Sequence, residues 1–407
     1  MFETILSSIH AGRDLAIALQ RLLVSHPALG PENGGQGEKD KVEALKPFLA
    51  KLGFPEPLEI RAPDARVSCG YRPSLAYVIP GLDPSQTFWI LSHLDVVPVG
   101  DRSLWQTDPF ELVVKDDLIF GRGVEDNHQG VVSSILLAQT LIAQKTKPPI
   151  NLGLLLVADE ETNNTYGLEY IAAHHANLFK PNDLFLAPDH GVPSGLEIEI
   201  AEKSVLWLKV SVEGRQCHAS VPSRGINSLR VAADFIMRLD ALHKKFAAID
   251  PLFEPPISTF EPTKKEANVE NVNTIPGRDI FYIDCRVLPC YDLADVIAHI
   301  KTIGADVMQT YACTISYDIV QAVQAAPATS VESPIIQRLQ QAIRAEYHGE
   351  AKLTGIGGGT LAAILRAKGY PAVVWASLLE CAHQLNERAS LSACLRDASV
   401  MARALFG

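Results

Sequence analysis

The stretch "WILSHLDVVPVG" (89–100) begins like a buried strand and then sets an imidazole and a carboxylate two positions apart, His93 and Asp95. Positions i and i+2 of a strand share a face. Similar residues recur where other apolar runs or helices give way to loops. Asp126 stands in "GRGVEDNHQG", Glu160 and Glu161 close "LLLVADEE", Asp189 closes "DLFLAPDHG", and His383 lies in "ECAHQLNE" after "PAVVWAS". Taken singly, each reads as a helix cap, a solvated turn or a hydrogen-bonded histidine. Together, two histidines and several carboxylates form the nitrogen and oxygen donor set that zinc accepts. A carboxylate can bridge two such ions, and an unliganded acid beside them can activate water as a general base.

Such residues need a scaffold whose strand ends converge. The runs "SLAYVI" (74–79), "TFWILS" (87–92) and "INLGLLLVA" (150–158) read as strands, and the stretches near 3–25, 39–53 and 129–144 as helices. Nearly continuous apolar strands are those covered on both faces, and their alternation with helices predicts an α/β sandwich. Ligands bind at the carboxyl ends of strands in such sheets.

The style changes near residue 203. A strand at 204–214, a helix at 225–246, strands at 272–277 and 279–289, a helix at 292–304 and a strand at 313–320 follow in turn. That β-α-β-β-α-β order is the ferredoxin-like split pattern. Helices at 333–348 and 362–369 and a strand at 371–377 then return to the first style. Residues 203–320 therefore read as a domain inserted into one built from 1–202 and 321–407.

The bulk numbers narrow the function. A net charge of −11 lacks the basic surplus of a nucleic-acid-binding chain. Seven scattered cysteines, odd in number and without C-x-x-C spacing, fit a reducing compartment. No apolar run reaches the roughly 18 residues of a membrane span, and the acidic, amphipathic start is unlike a secretory leader. A cytoplasmic protein with neither nucleic-acid nor membrane partners is expected.

In order and spacing, "SHLDVVPVG", "GRGVEDNHQG", "ADEET", "APDHG" and "AHQLNE" resemble the motifs of the M20 family of zinc metallopeptidases and deacylases, over about residues 85–390. That family includes succinyl-diaminopimelate desuccinylase, acetylornithine deacetylase, aminoacylase and several dipeptidases. The resemblance implies a three-layer zinc-peptidase catalytic domain with an inserted ferredoxin-like α+β dimerisation domain. It implies two divalent ions, zinc first, with cobalt or manganese as substitutes. His93, Asp126 and Asp189 would hold one ion, and Asp126, Glu161 and His383 the other. Glu160 would be the general base, and Asp95 the partner that orients His93 and fixes its tautomer. A cis peptide after the bridging aspartate, Asp126–Asn127, is also expected.

The inserted part carries further matches. In "GRQCHASVP", His218 would reach the partner subunit's site in a homodimer and stabilise an oxyanion. Asn273 in "VNTIPG" and Arg286 in "DCRVLP" match substrate-holding positions, and the arginine fork suits a substrate carboxylate. Gly358, Gly359 and Thr360 in "GIGGGTLAA" match a glycine-rich loop facing the substrate. Two departures stand out. "NHQG" replaces the common Met-Lys-Gly, placing Asn127 and His128 on the pocket floor, and position 189 is Asp, as in the family's dipeptidases, where many deacylases have Glu. The expected activity is hydrolysis of an N-acyl amino acid with a free carboxylate, with dipeptidase or aminopeptidase activity as the alternative. A non-catalytic metal-binding homologue is disfavoured because Glu160 and Asp95 are both retained.

Overall fold

The run "INLGLLLV" forms the strand Ile150–Val157, and every residue of it is buried. It can be apolar on both faces because it lies within a sheet covered on both sides. The computed structural model describes residues 2–407 and places this strand in an eight-stranded sheet. The order is Leu58–Pro63, Tyr71–Ile79, Ile150–Val157, Asp83–His93, Leu184–Gly191, Ala372–Ala376, Glu197–Glu202, Lys352–Ile356. From Ile150–Val157 to Ala372–Ala376 the four middle strands run parallel.

Alternate residues of these strands feed opposite layers. Trp89, Leu91, Leu155, Phe185, Ala187 and Val374 pack with Leu168, Ile171, Leu361 and Leu365 of two short helices. The other face is covered by the helix His128–Ala143, which is buried along nearly its whole length because Leu391–Phe406 packs outside it. The result is a mixed α/β fold with a large central sheet.

Gly153 is required by close approach. A Cβ there would lie 2.3 Å from the Trp89 ring, and Trp89 is pinned because its Nε1–H donates to Asp183 Oδ2 at 3.0 Å.

The chain divides into two units, and these residues belong to the one formed by Met1–Ile200, Ala328–Thr354 and Thr360–Gly407. The other comprises Ala201–Pro327 with Gly355–Gly359. It has its own antiparallel sheet, ordered Thr259–Lys265, Arg278–Val287, Ser204–Glu213, Thr314–Val323. Val231 and Phe235 of the helix Ser228–Arg238, with Val296 and Ile300 of Leu293–Tyr311, pack on Leu208, Val210, Phe281 and Ile283.

Several details differ from the pattern read in the sequence. The second unit runs to Pro327 and takes in Gly355–Gly359, beyond the 203–320 read for the insert. The stretch 3–25 is two helices, Phe2–His10 and Arg13–Ser25, broken at Gly12, where a Cβ would lie 2.9 Å from Leu136 Cδ2. The stretch 225–246 is likewise two, Ser228–Arg238 and Ala241–Lys245. In the second sheet, the strand next to Arg278–Val287 is Thr259–Lys265 rather than 272–277. Pro262 and two lysines mask it in the sequence, yet these are what an edge strand tolerates. Thr274–Ile275 instead pairs with Cys217–His218. Among the described residues no helix is long and apolar enough to cross a membrane.

Replacing a mid-strand glycine by alanine ordinarily gains about 0.5–1 kcal/mol. At Gly153 the pinned indole reverses the sign. Gly153→Ala should cost about 1–3 kcal/mol by overpacking, read as a lower urea midpoint at unchanged m value. A raised midpoint would show that Trp89 yields freely.

Candidate metal centre

The parallel strands deliver their carboxyl ends to one edge of the sheet. Asp83–His93 ends on His93, Ile150–Val157 runs on into Glu160 and Glu161, and Leu184–Gly191 carries Asp189 near its end. Ala372–Ala376 leads into the loop that bears His383. Asp126 comes from the loop before His128–Ala143, and the Asp126–Asn127 peptide is cis.

Two groups of donor atoms converge there, His93–Asp126–Asp189 and Asp126–Glu161–His383, with the atoms of each group within 4.8 Å of one another. Asp126 belongs to both and divides its oxygens. Oδ1 lies 3.0 Å from His93 Nε2, and Oδ2 lies 3.1 Å from His383 Nε2. Asp189 Oδ1 is 3.3 Å from His93 Nε2, and Glu161 Oε2 is 3.0 Å from His383 Nε2. Donors about 2.0–2.1 Å from a tetrahedral ion stand about 3.3 Å from each other. The spacing therefore suits one ion per group.

The tautomer of His93 makes the same point. Its Nδ1 lies 3.0 Å from the main-chain oxygen of Asp95. A carbonyl only accepts, so Nδ1 carries the hydrogen and a neutral ring turns the lone pair of Nε2 toward two carboxylates. Lone pairs facing one another need a cation or a proton between them. Without a metal, the proton takes that place. Burial opposes a charge on His93, but Asp189 and Asp126 outweigh it and hold the imidazole well above its usual range. Hydrogen bonds from its ring to Asp126 and Glu161 push His383 up to about 10. Burial and the Asp126 charge lift Glu161 to about 7, and its buried Oε1 has no hydrogen-bond partner.

Glu160 joins neither group. Its Oε2 stands 4.0 Å from His93 Nε2, and burial, then the Asp189 charge, keep its carboxyl well above the ordinary range. Asp95 contacts His93 differently from expectation. The imidazole is held by its main-chain oxygen, while Oδ1 stays 3.6 Å from Nδ1. Its carboxylate instead accepts the amides of Glu160 at 3.1 Å and Glu161 at 3.0 Å. It thereby fixes the main chain of both acids.

Of the residues that support the site, Glu38, Arg72 and Lys41 had no local signal in the sequence, while Asn127 and His128 stood out as departures from the family pattern. The guanidinium of buried Arg72 donates to Glu38 Oε2 at 2.7 Å and to Asp159 Oδ1 at 3.2 Å, anchoring the turn before Glu160. Asn127 Nδ2 donates to Asp189 Oδ1 at 2.8 Å. Buried Lys41 donates to Leu94 O at 2.6 Å and reaches His128 Nε2 at 2.8 Å, so His128 supports the floor without joining the ligands.

In the second unit, His218 is exposed on the two-residue strand opposite Thr274, and the next amide, that of Ala219, donates to Asn273 O at 2.8 Å. Its Nδ1 accepts the Ser220 amide at 3.1 Å, so the neutral ring carries its hydrogen on Nε2. Arg286 is not a free fork. It pairs with both oxygens of Asp284 at 2.7 and 2.9 Å and donates to Gly357 O at 2.6 Å. No atom stands within 4 Å of a Cβ built at Gly358 or Gly359. Thr360, in the first unit, caps the helix Leu361–Ala367 by accepting the Ala362 amide at 3.2 Å.

This donor set, gathered at the ends of the parallel middle strands of a mixed α/β sheet, is that of a divalent-metal hydrolase. The model of peptidase family M20/M25/M40 matches residues 89–406, and the chain belongs to that family. An uncharacterised metallohydrolase of Methanococcus maripaludis is 39% identical over 406 residues, covering 95% of this chain and 97% of the relative. A succinyl-diaminopimelate desuccinylase of Stenotrophomonas maltophilia is 25% identical over 280 residues, 67% of this chain and 70% of the relative. A solved di-peptidase of Saccharomyces cerevisiae superposes with a TM-score of 0.76 at 16% identity, covering 100% of this chain and 98% of the other. The protein is a metallohydrolase.

Metal uptake should release protons, because His93 and His383 bind an ion only when deprotonated. Their raised pKa values mean that protons compete more strongly as the pH falls, so affinity should drop on acidification. Calorimetry near pH 7 in buffers of different ionisation enthalpy should register more than one proton released per chain. Heats independent of buffer would contradict this.

Proposed function

We propose that the protein is a dinuclear, zinc-dependent amidohydrolase that cleaves the amide of an N-acyl amino acid bearing a free carboxylate. The observation that carries this reading is the division of Asp126 between two donor groups while Glu160 faces them as a ligand of neither. His93, Asp126 and Asp189 would hold one ion, and Asp126, Glu161 and His383 the other, with cobalt or manganese as substitutes. Ions held there would polarise a carbonyl and lower the pKa of a nucleophilic water.

Glu160 takes a proton from the attacking water and passes it to the leaving amine. Asp95 keeps the backbone of Glu160 and Glu161 in place, so that one acid stays free while its neighbour binds metal. The Nε2–H of His218 suits donation to a developing oxyanion, and we assign it to the partner's site in a homodimer formed through the inserted domain. Asn273, Arg286, Gly358 and Gly359 are assigned to the substrate, with Thr360 at the edge of that loop. For Arg286 this requires a substrate carboxylate to compete with Asp284. The seven free cysteines favour a cytoplasmic setting.

The desuccinylase relative supports the acyl-amino-acid reading. A dipeptide substrate is the second reading, favoured by the short side chain of Asp189. Metal-loaded protein assayed on N-succinyl amino acids, N-acetyl amino acids and dipeptides should show its highest kcat/KM on an acylated amino acid. A preference for dipeptides would select the second reading.

Glu160→Gln should keep near-normal metal content while kcat falls by at least about 10²-fold. Glu161→Gln should lower metal content instead, and exchanged phenotypes would reverse the two roles. The shared site is tested by mixing inactive Glu160→Ala and His218→Ala dimers. With free subunit exchange, about half of the dimers are mixed and each gains one intact site, so about a quarter of all sites should recover. Exchange verified by mass without recovered activity would place His218 in its own chain's site.

A further inference from the structure

We propose that Glu125 and Glu387 are positioning residues that form a reciprocal clamp and set metal affinity at the His383 end of the centre. The proposal rests on the dinuclear reading above. Glu125 precedes Asp126, and its carboxylate reaches the segment that carries His383. Oε1 accepts the amide of Leu379, and Oε2 accepts that of Cys381 at 2.6 Å. Glu387 does the converse. Its Oε1 accepts the amides of Glu125 at 2.9 Å and Asp126 at 3.1 Å. Its Oε2 accepts the amide of Gly123 at 2.9 Å and Nη1 of Arg122 at 2.6 Å. Both glutamates are fully buried. Each therefore holds the backbone of the other's loop.

The two histidines of the centre depend on different supports. His93 ends a sheet strand, is buried, and has its second ring nitrogen bonded. His383 sits in the segment 377–387, which has neither helix nor strand, and its side chain is 56% exposed. Glu380, His383 and Asn386 all adopt left-handed φ values, 59°, 62° and 56°. Such a conformation is uncommon for residues other than glycine and has to be imposed by contacts. The buried carboxylates supply them, since each offers two acceptor oxygens to backbone amides that have no sheet or helix partner.

Glutamine keeps the shape but offers one acceptor and an NH₂ group that would meet an N–H head-on. Glu125→Gln should loosen the segment bearing His383 and spare the group His93–Asp126–Asp189. The main chain of Asp126 itself is held by Glu387, not by the side chain of Glu125.

The experiment uses metal-free full-length protein titrated with Co²⁺, followed by visible absorption and calorimetry. The wild type should take two ions. Glu125→Gln should bind one with unchanged affinity and the other about 10–100-fold more weakly, the usual consequence of losing a residue that supports ligands. Glu380→Gln, an exposed change on the same segment, should leave both affinities unchanged. Hydrogen exchange on the wild type gives a readout that needs no variant. The amides of Leu379 and Cys381 should be protected although they lie outside helix and strand. Rapid exchange at both positions overturns the clamp, as does a Glu125→Gln protein with two wild-type affinities. A wild type that takes one ion while these amides stay protected overturns the dinuclear reading instead, because the protection still reports the clamp.

Discussion

Asp126, Glu160, Glu161 and Asp189 bring four carboxylates, largely withdrawn from water, together with buried His93 and half-exposed His383 at one edge of the sheet. Unpaired charge in such a place is costly, so a buried cluster of one sign must acquire cations or protons. Much of the surrounding structure answers that constraint. Without metal, the histidines retain protons and the glutamates resist ionisation. Divalent ions would satisfy the same constraint.

Holding like charges together requires backbone that cannot retreat. The four parallel strands supply most of it, since each contributes its end to one edge and is fixed by packing on both faces. Where the strands stop, carboxylates take over by binding amides. Asp95 holds the main chain of Glu160 and Glu161, and Arg72 ties Glu38 to Asp159 one residue earlier. These acids act through their acceptor oxygens and leave the metal-facing acids free for chemistry.

The same physics governs two side chains of the second unit. Hydrogen bonding at Nδ1 by Ser220 leaves His218 with an outward N–H, the form that can donate to negative charge. Asp284 does the opposite to Arg286, since two oxygens in bidentate contact engage the fork that would otherwise meet a carboxylate.

The sequence alone carried the donor types, their order and their association with strand ends, because side-chain chemistry and apolar periodicity are local properties. His93, Asp126, Glu160, Glu161, Asp189 and His383 were legible for that reason, as was the alternation of strands and helices. The edge strand Thr259–Lys265 was not, because Pro262 and its lysines look like a loop until a neighbouring strand pairs with them. Nor could the sequence assign Asp95 to the amides of Glu160 and Glu161, which lie 65 and 66 positions away. Lys41 and Arg72 gave no signal, and Glu125 and Glu387, though inside quoted motifs, gave none of what they hold. A buried charge is recognised by its partners, and theirs lie up to 265 positions away along the chain. Only folding decided which oxygen of Asp126 faces which histidine, because that depends on backbone held in place by contacts between distant segments.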